Sequence, residues 1–403
     1  MLSKEVWYYP SDFEKDLQGV GLPNHIIVEL LGTAWEYLRV VIPHFTNWKR
    51  YVGFTRLTVL AMVADFRGAL VDVAADNKIL GYDVDNILDD AFGGTVGHEP
   101  MAREYRSFLL FAAEKSSNRR NSEMFRLYVN ALAQSPRQWF RLRSCVTLGR
   151  LAMVAALACN DFDDMWFTEE EFEILEELAV TLYDATTFYK HRAEGETHNT
   201  FAYARGESVG DSSQGEFRKE CYRRCREILW ALDLAWTHDP ARRCVVNCAK
   251  VGGTSLAMMV RRYRFVEDGL TIGNPETESI VEDCKKNTKL WYRVDTKPAA
   301  IDREVHTAGE LGSTRFKTII TQSSKLLIPG LAEILESSDD GHCDQCHYRP
   351  SYGAEIPPGR FGGVELCDSC SDQWRTYLET LPARTVEVFP ALKGKLCLPA
   401  PEV

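Results

Sequence analysis

The sequence predicts an all-α fold: a large helical bundle over residues 1–340 with a small C-terminal four-cysteine zinc module over 341–403. Three observations predict it. Apolar residues recur at helical spacing through most of residues 25–340. Alternating runs of Val, Ile and Thr, which would mark strands, are scarce. After Asp340 glycine, proline and cysteine become dense, and the helical period stops until about residue 371.

In chain order, helices are expected over 25–41 and 48–75. The second would place Asp65 and Asp72, seven apart, on one face. Asp83, Asp85, Asp89 and Asp90 read as a turn and the start of a short helix. Helices over 101–115 and 122–134 follow. The next is expected over 138–159. Ser135 suits its N-cap and Pro136 its first position, where a missing N–H does no harm. Leu148, Leu151, Ala152, Ala155 and Cys159 form its apolar stripe. Thr168 and Glu171 make a capping box that opens a helix with the stripe Phe172, Leu175, Leu178, Ala179 and Leu182. Lys190-His191-Arg192 ends it with the basic residues a helix C-terminus favours. Ala193 to Gly215 is a long polar loop of the kind that often forms a lid. Helices over 216–236, 252–265, 276–292 and 315–337 complete the bundle, the last kinked or split by Pro329.

Composition excludes some functions. The net charge of −11 over 403 residues argues against a nucleic-acid-binding surface. The longest apolar run near the middle, Leu151 to Cys159, is far short of the about 20 residues a membrane span needs. The first residues lack an apolar signal core and no Asn-x-Ser/Thr acceptor occurs, so a cytoplasmic location is expected. There the 12 cysteines would be thiols or metal ligands.

Four of them have metal spacing. Cys343-x-x-Cys346, twenty residues, then Cys367-x-x-Cys370 supply four thiolates that can close a tetrahedron around Zn²⁺. A site with four cysteine ligands has no open position for substrate, so this zinc is expected to be structural. Cys221 with Cys225, and Cys244 with Cys248, are four apart on expected helices and read as small core residues.

Two acidic words carry the chemistry. Asn160-Asp161-Phe162-Asp163-Asp164 continues the 138–159 helix, so that carboxylates would follow an apolar stripe. Carboxylates at the rim of an apolar cavity suit Mg²⁺, which takes one or two of them plus substrate phosphate and water. Lys190-His191-Arg192-Ala193-Glu194-Gly195-Glu196 mixes cations for phosphate with carboxylates for metal. The bland alternative for both is a solvated charged helix end. Asn199, Tyr203 and Glu207 fall at i, i+4, i+8, a weak echo of a metal motif. Asp65 reads equally as a salt-bridge partner or a ligand. Arg261-Arg262-Tyr263-Arg264 ends a Met-rich helix, and guanidinium forks match phosphate oxygens. Phosphate-loop, dinucleotide, nucleophile-elbow and His-Glu-x-x-His signatures are missing. An all-α bundle with an aromatic- and Met-lined interior, acidic sites and arginines suits ionisation of a prenyl diphosphate.

Longer words narrow this further. Trp7-Tyr8-Tyr9-Pro10, Thr46-Asn47-Trp48, Asn130-Ala131-Leu132-Ala133-Gln134-Ser135-Pro136-Arg137, Asn160 to Asp164, Phe188 to Glu196, Arg261 to Glu267 and Phe361 to Cys367 resemble the fungal α-ionylideneethane synthase family of abscisic acid biosynthesis. The resemblance covers nearly the whole chain. It implies a terpene-synthase-like bundle and a Mg²⁺-dependent sesquiterpene synthase acting on farnesyl diphosphate. The implied product is 2Z,4E-α-ionylideneethane, made by diphosphate loss followed by proton removal and re-addition. It gives weight to Asp161, Asp163, Asp164, Glu194 and Glu196 as catalytic carboxylates, all but Asp161 also as Mg²⁺ ligands. Asn160, Lys190, Arg192, Arg262 and Tyr263 become substrate-binding candidates. The alternatives are a related fungal cyclase with another product such as humulene, or a non-catalytic helical scaffold whose zinc module docks a partner.

Overall fold

A computed structural model describes residues 7–117, 119, 122–204, 212–254, 308–352 and 360–396. The expected helices over 252–265 and 276–292 lie almost wholly outside these residues.

The architecture is helical throughout. Asn24–Val41 (α1) and Trp48–Phe66 (α2) open the bundle. A two-residue hairpin, Lys78–Ile79 (β1) against Tyr82–Asp83 (β2), leads into Val84–Phe92 (α3). His98–Ser116 (α4), Glu123–Ala133 (α5), Pro136–Val146 (α6), Gly149–Ala158 (α7) and Glu169–Thr186 (α8) follow. Then come Phe188–Glu194 (α9), Thr200–Tyr203 (α10), Ser212–Ala235 (α11) and Pro240–Thr254 (α12). Ala308–Thr321 (α13), Ser323–Leu326 (α14) and Leu331–Glu336 (α15) precede the cysteine segment; Asp368–Glu379 (α16) and Leu381–Val388 (α17) follow it. Among the described residues, no helix is long and apolar enough to cross a membrane.

Local signals place several ends where the sequence predicts them. The Ser135 hydroxyl accepts from the Gln138 N–H at 3.2 Å with Pro136 beside it. Thr168 and Glu171 form the reciprocal capping box. Asp83 caps α3, and the chain breaks around Pro329.

Three helices stop sooner than periodicity predicts. α2 ends at Phe66, not 75, because Gly68 runs against α4: a Cβ there would lie 2.1 Å from the Ala113 carbonyl oxygen. Asp72 therefore leaves the helix and pairs with Arg315 and Arg119 instead of sharing a face with Asp65. The expected 138–159 helix is two helices, broken at Leu148, whose φ is 58°. There the Ser144 hydroxyl accepts the Arg150 N–H at 3.2 Å, and a Cβ on Gly149 would lie 2.7 Å from that oxygen. Likewise α8 ends at Thr186 and a new short helix carries Lys190 to Arg192. Gly195, left-handed at φ 67°, terminates it.

Buried arginine–carboxylate pairs fix how these helices pack. Arg141 grips Glu104 of α4 at 2.8 Å, Arg143 grips Asp184 of α8 at 2.7 Å, and Arg150 pairs with Glu176. Residues either side of 340 share one core. Trp374 of α16 stacks on Tyr203 at 4.8 Å and meets Trp139 edge-on at 5.5 Å. Arg384 of α17 clasps the buried Glu177 of α8. Fully burying one large apolar side chain of this kind is worth about 1.5–3 kcal/mol.

Candidate active site

α1, α2, α4, α7 and α8 surround one cavity, with about 1000 Å³ of atom-free space counting its mouth. Its walls are apolar where helix stripes face inward: Tyr37, Met62, Phe108 and Met153. The break between α6 and α7 matters here, because residues 147–148 turn out of helix at the cavity wall. Polar groups gather on one side: Asp65 from the last turn of α2, Lys115 from the last turn of α4, Arg143, His191 and Glu196. The Lys115 ammonium lies 3.2 Å from the Glu196 carboxylate.

Behind that side lies a buried network centred on Asp184, which has no exposed surface. Its carboxylate accepts from Arg143 at 2.7 Å, from the Thr200 N–H at 2.7 Å and from the Thr200 hydroxyl at 2.9 Å. Thr200 in turn accepts the Trp139 indole N–H at 3.1 Å. Asn199 donates to the Asp184 carbonyl at 3.0 Å and to the His191 Nδ1 at 3.0 Å. The Glu196 N–H donates to the His191 carbonyl at 2.9 Å. These bonds tie residues 191–200 to α8 and leave Glu196 at the cavity. Burial, with the charges of Lys190 and Arg143, pushes the His191 pKa well below the usual histidine value.

The first acidic word lies elsewhere. α7 ends at Ala158, and Asp161 adopts a left-handed conformation with φ 59°, so the helix does not carry Asp163 onward. Asp161 accepts from the Thr46 hydroxyl at 2.6 Å and the Asn47 amide at 2.8 Å. Those bonds hold its carboxyl below the usual carboxylate range. Arg50 donates to Asp163 at 3.0 Å, to the Ala158 carbonyl at 2.9 Å and to the Gly93 carbonyl at 3.2 Å. Asn160 donates to the His44 and Ala156 carbonyls at 3.0 and 2.9 Å. Asp164 is exposed. This word therefore latches α7 to the start of α2. Arg50 and Asp65 are fifteen residues apart on α2, about 22 Å along its axis. The two acidic words thus occupy opposite ends of the bundle and do not face each other across one mouth.

The other sequence candidates divide. Glu196 lines the cavity. Lys190 and Arg192 are half-buried on α9, with the Arg192 guanidinium 5.3 Å over the Phe188 ring. The backbone of Glu194 closes α9; its side chain, with Arg262, Tyr263 and Glu207, lies outside the described residues. Sequence reasoning left Lys115, Arg143 and Asp184 without roles. Asp184 gave one usable signal: a carboxylate between the apolar Leu182 and Ala185 of a helix.

The cysteine segment forms a compact cluster that could hold a metal ion. The four sulfurs of Cys343, Cys346, Cys367 and Cys370 all lie within 4.8 Å of one another. The Cys343 and Cys367 sulfurs are 3.8 Å apart. A backbone bridge between His347 and Glu365 brings the two knuckles together, and the Cys367 N–H donates to the Cys346 sulfur at 3.3 Å. The Gln345 N–H helps to bring the Cys343 thiol down to about 7. His342 stacks on Tyr348 and bonds the Ser338 carbonyl, apart from the four sulfurs. The segment between the knuckles touches the loop that carries Glu196. The Gly362 N–H donates to the Glu196 carbonyl at 2.9 Å, and Phe361 meets Phe188 at 5.2 Å.

A family model described as alpha-ionylideneethane synthase aba3 matches residues 5–391. An alpha-ionylideneethane synthase of Botryotinia fuckeliana is 51% identical over 396 residues, covering 98% of this chain and 86% of its own. One from Leptosphaeria maculans is 47% identical over 397 residues, covering 98% and 88%. One from Pyricularia oryzae is 44% identical, covering 95% and 82%.

Proposed function

The chain belongs to the alpha-ionylideneethane synthase family, and on that premise we propose that it converts farnesyl diphosphate to 2Z,4E-α-ionylideneethane, the abscisic acid precursor. The observation that carries this reading is the two-sided cavity: Met and aromatic walls on one side, Lys115, Asp65, Glu196 and His191 on the other. The apolar side suits a prenyl tail and the polar side a diphosphate.

Asp65 and Glu196 fit a Mg²⁺ site, because two carboxylates line one cavity and Mg²⁺ takes few protein ligands beside substrate oxygens. Bound there, Mg²⁺ would act as Lewis acid toward the diphosphate leaving group. Lys115 supplies positive charge to the phosphate oxygens. Arg143 is committed to Asp184 and serves to fix the Asn199–His191 segment. Tyr37 and Phe108 line the cavity; an aromatic face turned to a carbocation is worth about 2 kcal/mol when desolvated. In this reading Asp161 and Asp163 hold the latch, Asp164 lies exposed beside them, and Glu196 belongs to the diphosphate site.

The cysteine cluster fits Zn²⁺. A tetrahedron with Zn–S bonds of about 2.3 Å has S···S edges of about 3.8 Å, the separation of Cys343 and Cys367. Four thiolates would leave a bound Zn²⁺ no open position, so its role would be to staple the fold.

The test is product formation from farnesyl diphosphate with Mg²⁺, read by mass spectrometry, for the wild type, Glu196→Gln and the double variant Asp163→Asn/Asp164→Asn. Glu196→Gln should stay folded and lose at least about a hundredfold in turnover, or about 2.7 kcal/mol of barrier. The double variant should lose stability and keep most of its turnover. The reverse pattern returns the metal to the first acidic word, and a wild type that releases no diphosphate ends the synthase reading.

A further inference from the structure

His191 reaches the cavity from α9 with its ring almost entirely buried. Its protonation pattern is written in the bonds around it. The Asn199 carbonyl oxygen accepts the Phe201 N–H at 3.0 Å, which fixes which end of the amide is nitrogen. The amide nitrogen then donates to the Asp184 carbonyl, an obligate acceptor, and to the His191 Nδ1 at 3.0 Å. A ring nitrogen that faces an N–H donor cannot itself carry a proton. The Thr187 hydroxyl, 3.2 Å from the same nitrogen, also lies 2.7 Å from the Tyr183 carbonyl that takes its proton. The proton of the neutral ring therefore sits on Nε2. That nitrogen has no hydrogen-bond partner among the described residues.

The charges that face the ring favour the same form. Lys115 from α4, Arg143 from α6 and Lys190 from α9 itself surround it, and they oppose a further positive charge. The Asp184 carboxylate lies 4.0 Å from Nδ1, beyond hydrogen-bond distance, and is taken by Arg143 and Thr200, while Glu196 is drawn to Lys115.

We propose that His191 is a neutral hydrogen-bond donor to the diphosphate, locked in its Nε2–H form by Asn199, and that it cannot be the base that removes the substrate proton. The inference rests on the synthase reading for its ligand, but the tautomer itself does not. A base at this position would need a free lone pair on the nitrogen that faces the cavity, and that nitrogen already holds the proton. A neutral donor gains strength as charge builds on the leaving oxygens, and no proton need be transferred.

Asn199 is a positioning residue in this scheme. Replacing it by Asp presents an acceptor to Nδ1, draws the proton to that nitrogen and turns a lone pair toward the cavity.

The experiment uses full-length protein with ring-¹⁵N histidine, read by NMR at about pH 7, and binding of inorganic diphosphate with Mg²⁺ by calorimetry. Wild-type His191 should show a protonated Nε2 and a bare Nδ1. His191→Gln, whose amide can reach the Nε2 position, should bind diphosphate within about threefold of wild type. His191→Leu should bind about tenfold or more weakly, the scale of a lost bond to a charged acceptor. Asn199→Asp should move the proton to Nδ1 and weaken binding to a similar degree while the ring stays in place. A bare Nε2 or an imidazolium in the wild type overturns the proposal, as does a folded His191→Leu that binds and turns over normally. So does a folded His191→Gln as impaired as His191→Leu. A wild type with the expected tautomer but no activity on farnesyl diphosphate would instead count against the synthase reading alone.

Discussion

Asp184 has a clear energetic role at the scale of the single residue. It is the only carboxylate that the described residues set against Arg143 in an ion pair, and both are buried. Asp184→Asn keeps the shape and leaves a guanidinium without its counter-charge. Breaking such a pair typically destabilises by about 3–5 kcal/mol. Urea denaturation should therefore show a large loss for Asp184→Asn and a much smaller one for Thr200→Val. A second residue-scale prediction concerns acid. Hydrogen bonds from Thr46 and Asn47 lower the Asp161 pKa in the folded state. Its contribution is then fully present above the unfolded value near 3.9 and is lost as pH falls through the lower folded value. Thr46→Val should lower stability at neutral pH, and its curve should approach that of wild type below about pH 3. Parallel curves would show that Asp161 does not report the latch.

Elements were legible in the sequence to the extent that their signals were local. Ser135–Pro136 and Thr168–Glu171 name helix starts because a cap and its N–H partner lie three residues apart. The ends were less legible, because they depend on contacts that no apolar period records. Gly68 stops α2 by meeting Ala113, and no pattern within residues 48–75 contains Ala113. The apolar stripe crosses Leu148 without interruption, and the break there comes from the Ser144 hydroxyl. The same limit hid the site: Asp65 and Glu196 meet at one cavity only after α2, α4 and α9 are assembled. At this scale we expect Gly149→Ala to cost about 1–3 kcal/mol, since its methyl must push Ser144 aside. The lost stability should appear in thermal melts, and Ser144→Gly should restore part of it. If Gly149→Ala melts like wild type, the break at Leu148 tolerates a side chain.

Over the whole molecule, the shared core carries the next expectation. Trp139, Tyr203 and Trp374 interlock across residue 340, and Arg384 closes on Glu177. Calorimetry should give one cooperative unfolding transition, where two independent units would give two. Stripping metal from the cysteine cluster should lower the melting temperature of the entire protein, because binding at such sites is coupled to folding. Hydrogen exchange should then rise in residues 196–203 as well as in the knuckles. Exchange confined to 341–370 would mean that the cluster does not brace the cavity wall.

The brace between Gly362 and Glu196 is made of main chain on both sides: an N–H and a carbonyl that every ordinary amino acid possesses. An alanine scan would leave this bond in place, since alanine at 196 removes the carboxylate and keeps the carbonyl. A survey of substitutions would conclude that the cysteine knuckles and the loop at the cavity are unconnected. The contact becomes visible only to changes that rewrite the backbone, such as proline at 362, which deletes the N–H. Bulk at 363 would reveal it too, since even a methyl group would come within 2.6 Å of the Tyr203 hydroxyl.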